Sequence, residues 1–169
     1  WHDKADTARK AINRLNIVMK YAAAMGLNVD LQATEKAKAL LGKTRHVPKN
    51  VPSMSWTEVP DFYASLKEGT IAQLALKLLI LTAVRSKPVR FANLDQIHDD
   101  LWTIPAEYMK SNHEFRVPLS EEALGVIDQA KPLARDGWLF PNLRCGVISD
   151  ATMSRYMERA ELEARPHGF

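Results

Sequence analysis

Three side chains of this sequence could together manage a phosphate ester. Arg85 closes the largely apolar run Leu78–Val84 and stands directly before Ser86-Lys87-Pro88. Its guanidinium keeps its proton at any ordinary pH, and its planar fork matches phosphate oxygens. Lys110 follows Met109 at the edge of a polar stretch, Lys110-Ser111-Asn112-His113, of the kind found at a hairpin tip. His167 lies in the loop Pro166-His167-Gly168-Phe169. An arginine neutralises non-bridging oxygens, a lysine can protonate a departing alkoxide, and a histidine can serve as acid, base or hydrogen-bond donor. Each residue also has a plainer reading: a helix-end cation facing the last carbonyls, a solvated hairpin lysine, a loop histidine. Taken singly, each residue favours the plainer reading; it is the set of three together that suits phosphoryl transfer.

Other chemistries find little support. The five histidines (His2, His46, His98, His113 and His167) show no HExxH or His-x-His spacing, and the one cysteine has no CxxC partner, so no metal site is expected. There is no GxxxxGK[ST] or GxGxxG phosphate loop and no GxSxG nucleophile turn. No cofactor is implied.

The 169 residues, 46% hydrophobic and 25% charged, allow one domain or one domain with part of another. The run Leu78–Val84 is far shorter than the ~20 residues a bilayer demands. No basic-then-apolar segment opens the sequence, and Cys145 alone permits no internal disulfide. A reducing cytoplasm is the expected location. Net charge is +3, unevenly placed. Residues 1–50 hold ten Lys/Arg against four Asp/Glu, or +6, and residues 51–169 hold thirteen against sixteen, or −3. Such a basic segment suits a nucleic-acid-facing arm, or simply a solvated helix surface.

The elements that must hold these residues are mostly helical. Ala8, Ile12, Leu15, Met19 and Ala22 recur at helical spacing, with Asp6 as the expected cap and Gly26 as the stop. A shorter helix is expected from Asp30 to Gly42. Two helices alone cannot bury a proper core. Residues 43–55, with two prolines and no period, read as a linker that separates 1–42 from 56–169. Ser55 or Thr57 is expected to cap a helix with Val59, Phe62 and Leu66, and Thr70 a long helix through Leu79. Pro88 is placed to start another short helix. Gln96–Ile97, Leu101–Ile104 and Phe115–Leu119 predict short strands. Ser120 should cap one more helix and Ser149-Asp150 the last, which carries Met153, Tyr156 and Met157. The fold class expected is mainly α with a small antiparallel β-sheet.

The order of these motifs resembles the tyrosine recombinase, or phage-type integrase, family, in its prophage and genomic-island branch. The family's first box runs roughly Thr-Gly-x-Arg-x-x-Glu-(Val/Leu), and here stands Thr82-Ala83-Val84-Arg85-Ser86-Lys87-Pro88-Val89. Arg116-Val117-Pro118-Leu119-Ser120 is similar to the family's hairpin close, and Trp138-Leu139-Phe140-Pro141 to a stretch before its second box. That box reads His-Gly-Phe-Arg in this branch, matching His167-Gly168-Phe169.

The resemblance implies that Arg85 binds a scissile phosphate, Lys110 protonates the 5′-hydroxyl leaving group and His167 is the second-box histidine. It also implies a tyrosine nucleophile, a 3′-phosphotyrosine intermediate, and no metal or nucleotide. Double-stranded attachment-site DNA and a tetramer on that DNA are the implied partners. Residues 1–42 would be the last helices of a core DNA-binding domain, and 56–169 a partial catalytic domain. The second-box arginine and the nucleophile are expected after Phe169, because Tyr108 and Tyr156 precede that box. These 169 residues are therefore expected to bind DNA without recombining it. Pro88 stands where the family carries glutamate, and Ala83 where it carries glycine. Those departures keep a non-catalytic DNA-binding module, or a degenerate prophage remnant, as the alternative.

Overall fold

The computed structural model describes residues 4–42 and 51–166. The chain divides into two compact units, Trp1–Asn50 and Val51–Phe169.

In the first unit, helix α1 spans Ala5–Ala24 and α2 spans Ala33–Leu41. Asp6 is not the cap of α1. Lys4 holds that position without a side-chain bond, and Asp6 sits in the first turn, where it accepts a hydrogen bond from Arg9 at 2.8 Å. A carboxylate there still complements the helix dipole. At the other end Gly26 adopts φ 80, and the amides of Gly26 and Leu27 donate to Ala23 and Ala22. That pair of bonds makes a Schellman stop, which needs the left-handed residue that glycine supplies without strain. Asp30 likewise precedes the true N-cap of α2, Gln32. Its carboxylate accepts from Lys36 Nζ at 2.9 Å and the Gln32 amide at 2.8 Å, and these bonds hold its pKa below the usual carboxylate range. The buried Thr34 hydroxyl donates to Asn16 Oδ1 at 3.1 Å and ties the two helices. Much apolar surface remains outside this small interface: Ile17, Val18 and Tyr21 are exposed, and Leu40 is 90% exposed.

The second unit is built on α4, Ile71–Thr82. Thr70 caps it by accepting from the Gln73 amide, and Leu74, Ala75, Leu76, Leu78 and Leu79 are all buried. A helix apolar on several faces needs cover on several sides. It packs against α6 (Glu121–Ala130), capped by Ser120 as expected, and α7 (Ala151–Arg159). Helix α3 covers Val59–Ser65 and starts later than expected. The Ser55 and Thr57 hydroxyls bond each other at 2.8 Å, while Glu58 takes the N-cap and accepts from the Ser55 amide. Helix α5 is Ser86–Arg90 and begins two residues before Pro88. The start moves forward because Arg85 is already extended, with φ −71 and ψ 160.

Three strands form one antiparallel sheet in the order β1 (Ile97–His98), β2 (Leu101–Ile104), β3 (Phe115–Pro118). Gln96 belongs to a 3-10 turn rather than β1, and Leu119 lies just past β3. Alternation along β2 sends Trp102 and Ile104 into the core, with Trp102 opposite Val117. Leu139, Phe140 and Pro141 are buried, and the Leu139 amide donates to Ala92 O at 3.0 Å. Mainly helical with a small antiparallel sheet, the fold agrees with the pattern in the residues.

Candidate functional site

The position of Arg85 follows from how α4 ends. Ala83 caps the helix in the left-handed region, with φ 51 and ψ 20, and its amide donates to Leu79 O. Three residues separate α4 from α5, and the last of them, Arg85, is the N-cap of α5. Arg85 is exposed, and among the described residues it makes no hydrogen bond or ion pair. A helix-end cation satisfying carbonyls would show those bonds, so that plainer reading of Arg85 is set aside.

Ala83 occupies a conformation that costs an L-residue with a Cβ about 1 kcal/mol or more. Ala83→Gly is expected to stabilise the second unit by about 1 kcal/mol and to raise its melting midpoint by a few degrees. A lower midpoint in a calorimetric or circular-dichroism melt would refute this account of the turn.

Lys110 lies between β2 and β3, beyond a 3-10 turn at Ala106–Tyr108. It too is exposed and unpaired among the described residues. Arg85 and Lys110 line one cleft of about 710 Å³, together with Lys87, Pro88, Tyr108 and Phe115. Three cations and no carboxylate appear among the described residues lining it. Such a surface attracts anions. His167 lies outside the described residues. Its neighbour Pro166 lines an adjoining cleft that also includes Arg85, Val84 and Trp56.

The base of the hairpin is fastened to α5 by contacts that sequence reasoning did not single out. Lys87 Nζ donates to Glu107 O at 2.8 Å and lies 5.8 Å from the centre of the Tyr108 ring. Tyr108 stacks on Phe91 at 4.8 Å and 11°. Phe91 meets Trp138 edge-on at 6.0 Å, and the Arg90 guanidinium lies 5.4 Å from the Phe91 centroid. Arg90 Nε in turn donates to Ile148 O at 2.9 Å. Partial burial, a hydrogen bond to Glu107 and the charges of Glu107 and Asp95 push the Tyr108 hydroxyl above the ordinary phenol range. The spacing of Lys87 and Phe91, four residues apart, hints at a shared helix face. Nothing local points to Tyr108.

No family model matches the chain. Individual relatives do. The chain is similar to an integrase of Enterobacteria phage P4, at 33% identity over 98% of this chain and 43% of that protein. It is also similar to prophage integrase IntA of Escherichia coli strain K12, at 31% identity over 76% of this chain and 32% of that protein. The chain belongs to the phage-type integrase family. It spans less than half the length of these integrases. Its fold is similar to that of a lambda integrase tetramer bound to a Holliday junction, with a TM-score of 0.68 and 19% identity over 98% of this chain and 48% of that one. The Tn1549 transposon integrase in complex with circular intermediate DNA gives a TM-score of 0.63 at 10% identity, over 96% of this chain and 64% of that one. At such identities the likeness speaks for the fold alone. Within this integrase fold, Tyr156 is half-buried on α7 and its hydroxyl accepts from Gln73 Nε2 at 2.9 Å. Packing and that bond account for Tyr156.

Proposed function

We propose that this chain supplies the phosphate-handling part of an integrase that cuts and rejoins double-stranded DNA. The observation that carries the reading is the shared cleft: Arg85 and Lys110, unpaired among the described residues, line it, and no carboxylate is among its described lining residues. In this reading Arg85 neutralises the non-bridging oxygens of the scissile phosphate. A tyrosine oxygen from beyond this chain attacks phosphorus, and the bond to the 5′-oxygen breaks as the 3′-phosphotyrosine bond forms. Lys110 gives the departing 5′-oxygen its proton. His167 adds a hydrogen bond or proton transfer at the same phosphate.

Residues 1–42 are proposed as the last helices of a core DNA-binding domain, joined by 43–55 to the catalytic part at 56–169. The +6 charge of residues 1–50 and the bare apolar side chains of α1 and α2 support that assignment. Both structural relatives are complexes with DNA, and one is a tetramer, which supports duplex DNA and a homo-tetramer as partners.

A fluorescence titration of this chain with labelled duplex DNA tests the reading. Log affinity should fall linearly with log salt, by about 0.9 for each phosphate neutralised. No affinity at low salt would defeat the proposal. The second reading, a non-catalytic DNA-binding module, draws on Pro88 in the place of the family's glutamate. A chain extended to the length of its relatives separates the two, because only a catalyst traps itself covalently on DNA.

A further inference from the structure

We propose that Lys87, Tyr108 and Phe91 form a positioning brace that sets Lys110 relative to Arg85, so that both cations engage one phosphate. The inference rests on the proposed phosphate-handling role and adds to it the means by which two unsupported side chains are brought into register.

Neither cation is held by a described neighbour, so only the backbone beneath each can fix their separation. Arg85 is the N-cap of a five-residue helix, and Lys110 leaves a hairpin that has only a short 3-10 turn at its base. Such segments drift unless tied. The tie lies two residues from each cation: Lys87 follows Arg85 by two, and Tyr108 precedes Lys110 by two. Three different contacts meet there: the Lys87 hydrogen bond to Glu107 O, the ammonium near the Tyr108 ring, and the Tyr108–Phe91 stack. Each favours a specific geometry, which a plain apolar contact does not. Phe91 also meets Trp138 edge-on and lies near Arg90, itself bonded to Ile148 O. The brace therefore runs from the cleft wall into the core. Among the described residues Lys87 makes one hydrogen bond, and its charge also adds to the cleft.

The test is a double-mutant cycle on duplex affinity, measured with this chain at fixed low salt. In the parent background, Arg85→Ala and Lys110→Ala should be non-additive, with a coupling of about fivefold, because each removes part of one shared grip. In a Tyr108→Leu background the coupling should fall to about onefold while duplex binding persists. Lys87→Met keeps the aliphatic stem and should do the same, and it serves if Tyr108→Leu fails to fold by circular dichroism. Tyr108→Phe keeps the stack and should retain the parent coupling, an outcome that general destabilisation would not produce. Coupling that survives in both disrupted backgrounds overturns the brace and leaves the functional reading intact. Duplex binding by the parent chain with no coupling at all likewise overturns the brace alone. Absence of duplex affinity in the parent overturns the functional reading, and the brace with it.

Discussion

Arg85→Ala, made in a chain extended to the length of its integrase relatives, is expected to cut covalent adduct formation on DNA by about 10²–10³-fold or more. A guanidinium aimed at non-bridging oxygens acts as charge accumulates in the transition state, and alanine leaves that charge without a partner. In the present chain the same change should reduce the salt slope of duplex binding by about 0.9 and weaken all duplexes alike. Stability should hardly move, because the side chain is exposed and bonds to no described neighbour. Adduct yield unchanged by the substitution would remove Arg85 from the site. Lost adduct with an earlier melting transition would mean that the residue is structural instead.

Trp102→Ala should have the largest effect on stability. The side chain is fully buried on β2, and its indole N–H donates to Gln96 Oε1 at 3.1 Å. Gln96 also accepts from the Asn93 amide and donates to Phe91 O, so one tryptophan links the sheet to the segment that follows α5. Truncation leaves a large void in the core and costs about 3–5 kcal/mol. Against a total of about 5–15 kcal/mol for a domain, that loss should shift the urea midpoint far down. Trp102→Phe fills most of the space but strands one acceptor site on Gln96, for about 1–2 kcal/mol. A cost below about 1 kcal/mol for the alanine variant would show that the core collapses around the gap.

The parts of the fold legible in the residues are those set by periodicity. Leu74, Leu78 and Leu79 mark α4 because helical spacing and burial coincide there, and Trp102 and Ile104 mark β2 because burial alternates. Caps were less legible. Asp6, Asp30, Ser55 and Thr57 are all good capping residues, yet the N-caps are Lys4, Gln32 and Glu58. A cap depends on where the preceding turn delivers the chain, and that is settled by tertiary packing. The cleft shows the same division. Arg85 could be picked out from the apolar run before it, and Lys110 from the hairpin around it. That the two line one cleft depends on the hairpin base docking against α5, through Lys87 and Tyr108, which are 21 residues apart in sequence. No local pattern encodes a contact of that range.

The composition of the cleft wall has a consequence for choice between ligands. Among the described residues that line it, it carries Arg85, Lys87 and Lys110, with Pro88 beside them, and no acidic group. Selectivity arises as much from what a surface repels as from what it attracts. A wall lined by three cations and no carboxylate favours anions as a class, and no acidic group in the lining separates RNA, DNA and simple polyphosphates by repulsion. In the proposed role, preference for one nucleic acid over another would come from the surfaces that flank the cleft.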